Sequence, residues 1–176
     1  MRINEQRVDV CEVQVDLLDR LLGHDAWTTR QLLDICATLS DEKLDVEFDI
    51  GHRSLRATLA HIVHNTEVWT ALMAQQKVPQ ETDRTVAGLI RRLDAASHQL
   101  QIVARAVAER GGWDETWLDY LDHPPREKTY GAAIAHVITH GMHHRAQVLY
   151  LLRLSGVPNL PEGDVFSWEN RKPEPA

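Results

Sequence analysis

Six of the ten histidines in this 176-residue sequence lie in two short segments, AHIVHN and AHVITHGMHHR. Neutral imidazole is the commonest protein ligand for transition metals, so the spacing of these residues is a question of coordination chemistry. If the second segment is helical, His136, His140, His143, His144 and Gln147 fall within an arc about 100° wide, the width that a bundle helix buries. Buried imidazoles without partners cost on the order of 1–3 kcal/mol each, and binding a metal removes that cost. His140 and His144, at i and i+4, can share one ion. His136 with His140 has the same spacing, and His140 with His143 is at i and i+3, so spacing does not choose among the pairs. His61 and His64, set among Leu59, Ile62 and Val63, offer a third ligand from a second helix.

Those segments need a scaffold, and four stretches repeat apolar residues at three- and four-residue intervals. They predict helices from Val13 to Leu39, from Ser54 as N-cap to Gln76, from Thr82 or Asp83 as N-cap to Gly111, and from Thr129 to Gly156. Gly23 is expected to weaken the first. The stretch from residue 113 to 128 holds Trp113, Trp117 and the pair Pro124-Pro125 without a sustained period, and reads as an ordered loop with a short extended piece. The fold class is therefore all-α, a four-helix bundle in a single domain over residues 1–160. The connections 40–53 and 111–128 are long enough for one to cross over the bundle. Residues 161–176 form a tail rich in Pro, Gly and charged residues, its last positions expected to be disordered.

Composition narrows the function classes. Apolar residues make up 43 % and charged residues 26 %, as in ordinary globular domains, and the formal charge is −7. No basic stripe is present that would neutralise a run of phosphates, which argues against nucleic acid as a partner. No apolar run approaches a bilayer span and the N-terminus lacks the apolar core of a signal peptide, so neither a membrane partner nor export is expected and the chain reads as cytoplasmic. The two cysteines, Cys11 and Cys36, are too few for a disulfide framework and read as small, buried or half-buried thiols.

The run A-H-V-I-T-H-G-M-H-H-R-A-Q-V at 135–148 resembles the C-terminal signature of the DinB-like (DinB/YfiT-like) proteins, a damage-inducible metal-binding family. SLRATLAHIVHNTEVW, with a Trp eight residues after His61, is similar to that family's first-ligand helix. AWTTRQLLDICATLSDEKL is similar to its opening helix, and LSGVPNLPEGD to its tail. The resemblance implies a bundle with crossed connection order and a metal triad of His61, His140 and His144, with His64, His136 and His143 in supporting roles. Ala146 stands where the family commonly has Gly, and Thr139 where Asn is frequent; neither departure removes a ligand, although Thr139 is expected to alter a hydrogen bond behind one.

Three imidazoles with no carboxylate would leave a divalent ion its full charge and at least one open position, as in catalytic sites. Zinc or nickel suits such a set first, with iron, cobalt, manganese and copper also admissible. The resemblance implies a metal-dependent enzyme acting on a small-molecule substrate, with a low-molecular-weight thiol activated for S-transfer as the first reading and metal-hydroxide hydrolysis as the second. A general base is expected among His136, His143, His64 and Glu67. The competing class is a non-catalytic metal-binding bundle in which exposed tryptophans serve protein contact. Homodimerisation is the expected assembly.

Overall fold

Side-chain caps set where the long helices begin. In the computed structural model, which describes residues 15–171, Asp16, Ser54, Thr85 and Thr129 take extended backbone. Their side chains accept the amide hydrogens of Asp19, Ala57, Gly88 and Ala132. They open α1 (Leu17–Cys36), α3 (Leu55–Met73), α4 (Val86–Glu109) and α5 (Tyr130–Leu154), while one turn, α2 (Asp41–Leu44), interrupts the first connection. Ser54 and Thr129 are the expected caps. Thr85 replaces the expected Thr82 or Asp83, because the Asp83 carboxylate instead accepts from the Thr85 amide and hydroxyl and braces that cap. Val13, the expected start of the first helix, and Cys11 lie outside the described residues.

The four long helices form the all-α bundle, but not in simple sequence order. α1 packs on α4 and α5, and α3 packs on the same two, so α1 stands diagonally across from α3, and α4 from α5. The connections 37–54 and 110–129 therefore both link diagonal partners, and only the link between α3 and α4 joins neighbours. The crossed order puts α3 against α5, which brings the two histidine-bearing helices face to face.

Two apolar clusters fill the interior. One gathers Leu32, Leu33, Leu55, Leu59, Leu89 and Leu151; the other gathers Leu72, Leu100, Val107, Trp117, Ile134 and Val137. Burial at this density, at about 25 cal/mol per Å² of apolar surface, is what holds the helices together.

Two segments differ from expectation. Residues 113–129 carry a small antiparallel hairpin, β1 (Thr116–Asp119) against β2 (Arg126–Thr129), which turns Trp117 inward to 5 % exposure. Trp117 is thus a core residue, its ring edge-on to Trp69, and does not serve as an exposed contact aromatic. In the tail, α6 (Val165–Glu169) lays Trp168 against Gly23, where a Cβ would stand 2.5 Å from the indole. Gly23 is a seat for that ring. The last five residues, 172–176, lie outside the described residues.

Candidate metal centre

Seen from α5, the histidines of the two segments separate into a convergent set and its surroundings. His140 Nε2 lies 3.2 Å from His61 Nε2 and 3.2 Å from His144 Nε2. Ring centres are 4.9 Å apart for His61 and His140, 4.4 Å for His140 and His144, and 4.6 Å for His61 and His144. Around an ion held at 2.0–2.1 Å, tetrahedral nitrogens stand about 3.3–3.4 Å apart and ring centres about 5 Å apart. The two separations at His140 match that spacing, and the three imidazoles whose ligand atoms all lie within 4.8 Å of one another are His52, His61 and His144.

Hydrogen bonding makes the three nitrogens share contacts at His140 Nε2. Gln147 Oε1 accepts from His144 Nδ1–H at 2.8 Å, which fixes the tautomer that turns a lone pair on Nε2 toward the cluster, and the Gln147 amide donates onward to His143 Nε2 at 3.0 Å. Gly51, at φ +51°, permits this: a Cβ there would lie 2.4 Å from Gln147 Oε1. His140 Nδ1 is buried with no partner among the described residues. One proton on His140 cannot serve both nitrogens facing its Nε2, so no tautomer satisfies the group, whereas a cation among the three lone pairs would.

The imidazoles are also held neutral. His61 and His140 are both pushed down to about 4, first by burial and then by the neighbouring imidazoles. Burial lowers His144 as well, against the hydrogen bond to Gln147. Near pH 7 the cluster thus offers lone pairs and no charge of its own, and it can hold a metal ion.

The remaining candidates line the approaches. His136 packs on Trp69, ring centres 4.8 Å apart, beneath the Lys128 ammonium that lies 4.7 Å over the same indole. His143 is exposed beside Gln147. Glu67 is not brought to the cluster: Arg92 Nε and a terminal nitrogen donate to its two oxygens at 2.9 and 2.7 Å, and His64 Nδ1 stands 3.3 Å from one of them. A carboxylate so occupied is a helix-pairing group on the seam of α3 and α4. Thr139 donates back along its own helix, to the Ala135 carbonyl at 2.8 Å and the His136 carbonyl at 3.3 Å. Cys36 is buried and its thiol pushed up to about 12, which leaves it inert as a nucleophile.

A fourth histidine, His52, was not singled out by periodicity because it sits in the loop ahead of α3, where no helical face exists to be read. Its ring stacks on His61 with centres 3.8 Å apart and lies 5.1 Å from His144; ligand atoms of His52, His61 and His144 all fall within 4.8 Å of one another. This second three-imidazole set shares two members with the first. The two sets differ in one member, His140 in the first and His52 in the second, the latter with its ring stacked at 28° on His61.

A family model described as the DinB family matches residues 13–169. The chain belongs to the DinB family. No curated protein matches it. The three-histidine group His52, His61 and His144, which could hold a metal ion, is consistent with that membership, and among the described residues no helix is long and apolar enough to cross a membrane.

Proposed function

We propose that this DinB-family chain is a metal-dependent enzyme whose divalent ion is held by Nε2 of His61, His140 and His144, and that it activates a low-molecular-weight thiol for S-transfer. The observation that carries the reading is the pair of 3.2 Å separations meeting at His140 Nε2, a spacing that suits one shared ion. When bound, such an ion supplies a nucleophile near neutral pH by lowering the pKa of the thiol or water that reaches it. A set of three neutral nitrogens suits zinc or nickel and tolerates a soft sulfur donor beside them.

The protein's own groups divide the remaining work. Gln147 orients His144, and through its amide holds His143 at the rim. His136, its ring 5.1 Å from that of His140, is the candidate to take a thiol proton, since His143 Nε2 already accepts from Gln147, and Lys128 and Trp69 form a cationic, aromatic wall on the His136 side. Cys36, the one cysteine among the described residues, is sealed in the core, which fits a nucleophilic sulfur supplied by the substrate thiol.

The test is a titration of cobalt-substituted protein with 2-mercaptoethanol and with cysteine. A sulfur-to-metal absorption band, together with thiol-dependent consumption of an electrophile, is the expected result. Ester hydrolysis that proceeds without thiol, and no such band, would replace this reading with the hydrolytic one.

A further inference from the structure

We infer that His52, set against His61 and His144, is a fourth, exchangeable ligand, and that an incoming ligand has to displace it. The inference rests on the metal reading above. It deepens that reading by saying what guards the open position.

The loop that carries His52 is tied down at two points over the cluster. Gly51 packs against Gln147, which is itself bonded to His144, and His52 stacks on His61. The loop therefore touches both helices that supply the triad. The ligand atom of His52 lies within 4.8 Å of those of His61 and His144, where co-ligands stand about 3.4 Å apart, so a turn of one ring covers the difference.

His52 is exposed, and the residues on either side of it, Gly51 and Arg53, take φ of +51° and +72°. With a divalent charge among the triad, a neutral imidazole tethered at this range acts at a high effective concentration and is a stronger donor to such ions than water. It excludes weak oxygen ligands and yields to a strong one. Thiolate is of the second kind, so His52 selects for the thiol over water at the open position.

The experiment uses cobalt(II) as the metal and azide as the probe, in the wild-type chain and in His52→Ala and His52→Asn. Wild type is expected to show the intense visible absorption of four-coordinate cobalt. Both variants should show a weaker, altered band and bind azide about tenfold or more tightly, because the competing tethered ligand is gone. Wild-type spectrum and azide affinity in both variants would overturn the role of His52. His140→Ala separates the two claims: if it retains cobalt at the wild-type level, the triad reading fails regardless of what His52 does.

Discussion

His144 and Arg145 are consecutive on α5, and the bundle puts them in opposite electrostatic situations. Arg145 turns inward to α1, where it donates to the Asp25 carboxylate and, at 3.2 Å, to the Thr29 hydroxyl; both partners of the ion pair are more than nine-tenths buried. Burial raises the Asp25 carboxyl from its ordinary value, against the pull of the guanidinium. Gly141 makes the room, since a Cβ there would meet Asp25 Oδ1 at 2.8 Å and the Arg145 guanidinium at 2.9 Å. The group is complete: positive and negative charge are both inside and both bonded. His144 turns to α3, where its Nε2 and that of His61 both face His140 Nε2 at 3.2 Å and no charged partner stands among them. One cluster closes on itself and locks α5 to α1. The other is a group of neutral imidazoles that a cation would complete, as the proposed metal site requires.

If that contrast holds, the two clusters should answer differently to substitution. The largest effect is expected on the closed side. Arg145→Ala leaves a buried carboxylate alone and should lower unfolding free energy by about 3–5 kcal/mol in a denaturant titration, whereas the double change Asp25→Leu with Arg145→Met should recover most of that loss. Gly141→Ala pushes a methyl into the same pair and should cost about 1–3 kcal/mol, seen as a lowered denaturation midpoint with unchanged slope.

A smaller effect follows from pH in metal-free protein. The imidazoles of His61 and His140 titrate near 4 in the folded chain and near 6.5 when unfolded. Between those values the unfolded chain binds protons that the folded cluster refuses, so stability declines as pH falls from about 6.5 toward 4 and is unaffected by these groups above that window. Thermal melts across this range check the direction. The smallest effect is expected for His140→Leu in metal-free protein, within about 1 kcal/mol of wild type, because the change removes a buried nitrogen that has no partner. A loss as large as that of Arg145→Ala would mean that the histidine cluster is itself a structural core.

Much of this frame was legible in the residues. Leucine and valine periodicity located four helices to within a few positions, and Ser54 and Thr129 announced two of their starts. The helical arc holding His140 and His144 was equally plain, although choosing His61, His140 and His144 from the rest took the family resemblance. What escaped has physical reasons. Strands of four residues, one of them the wholly polar Arg126–Thr129, are too short for alternation to show. The burial of Trp168 depends on the missing side chain of Gly23, a contact between residues far apart in sequence. The partnership of Asp25 with Arg145 depends on the diagonal order of helices, and His52 lies where the chain has no period. Each is a consequence of tertiary packing acting on residues whose local pattern is silent.

The central claim is most directly tested by elemental analysis of the purified chain beside His140→Ala, with circular dichroism to confirm that both are equally helical. The account predicts about one divalent transition-metal ion per chain in the wild type and close to none in the variant. Equal metal in the two folded proteins would contradict it.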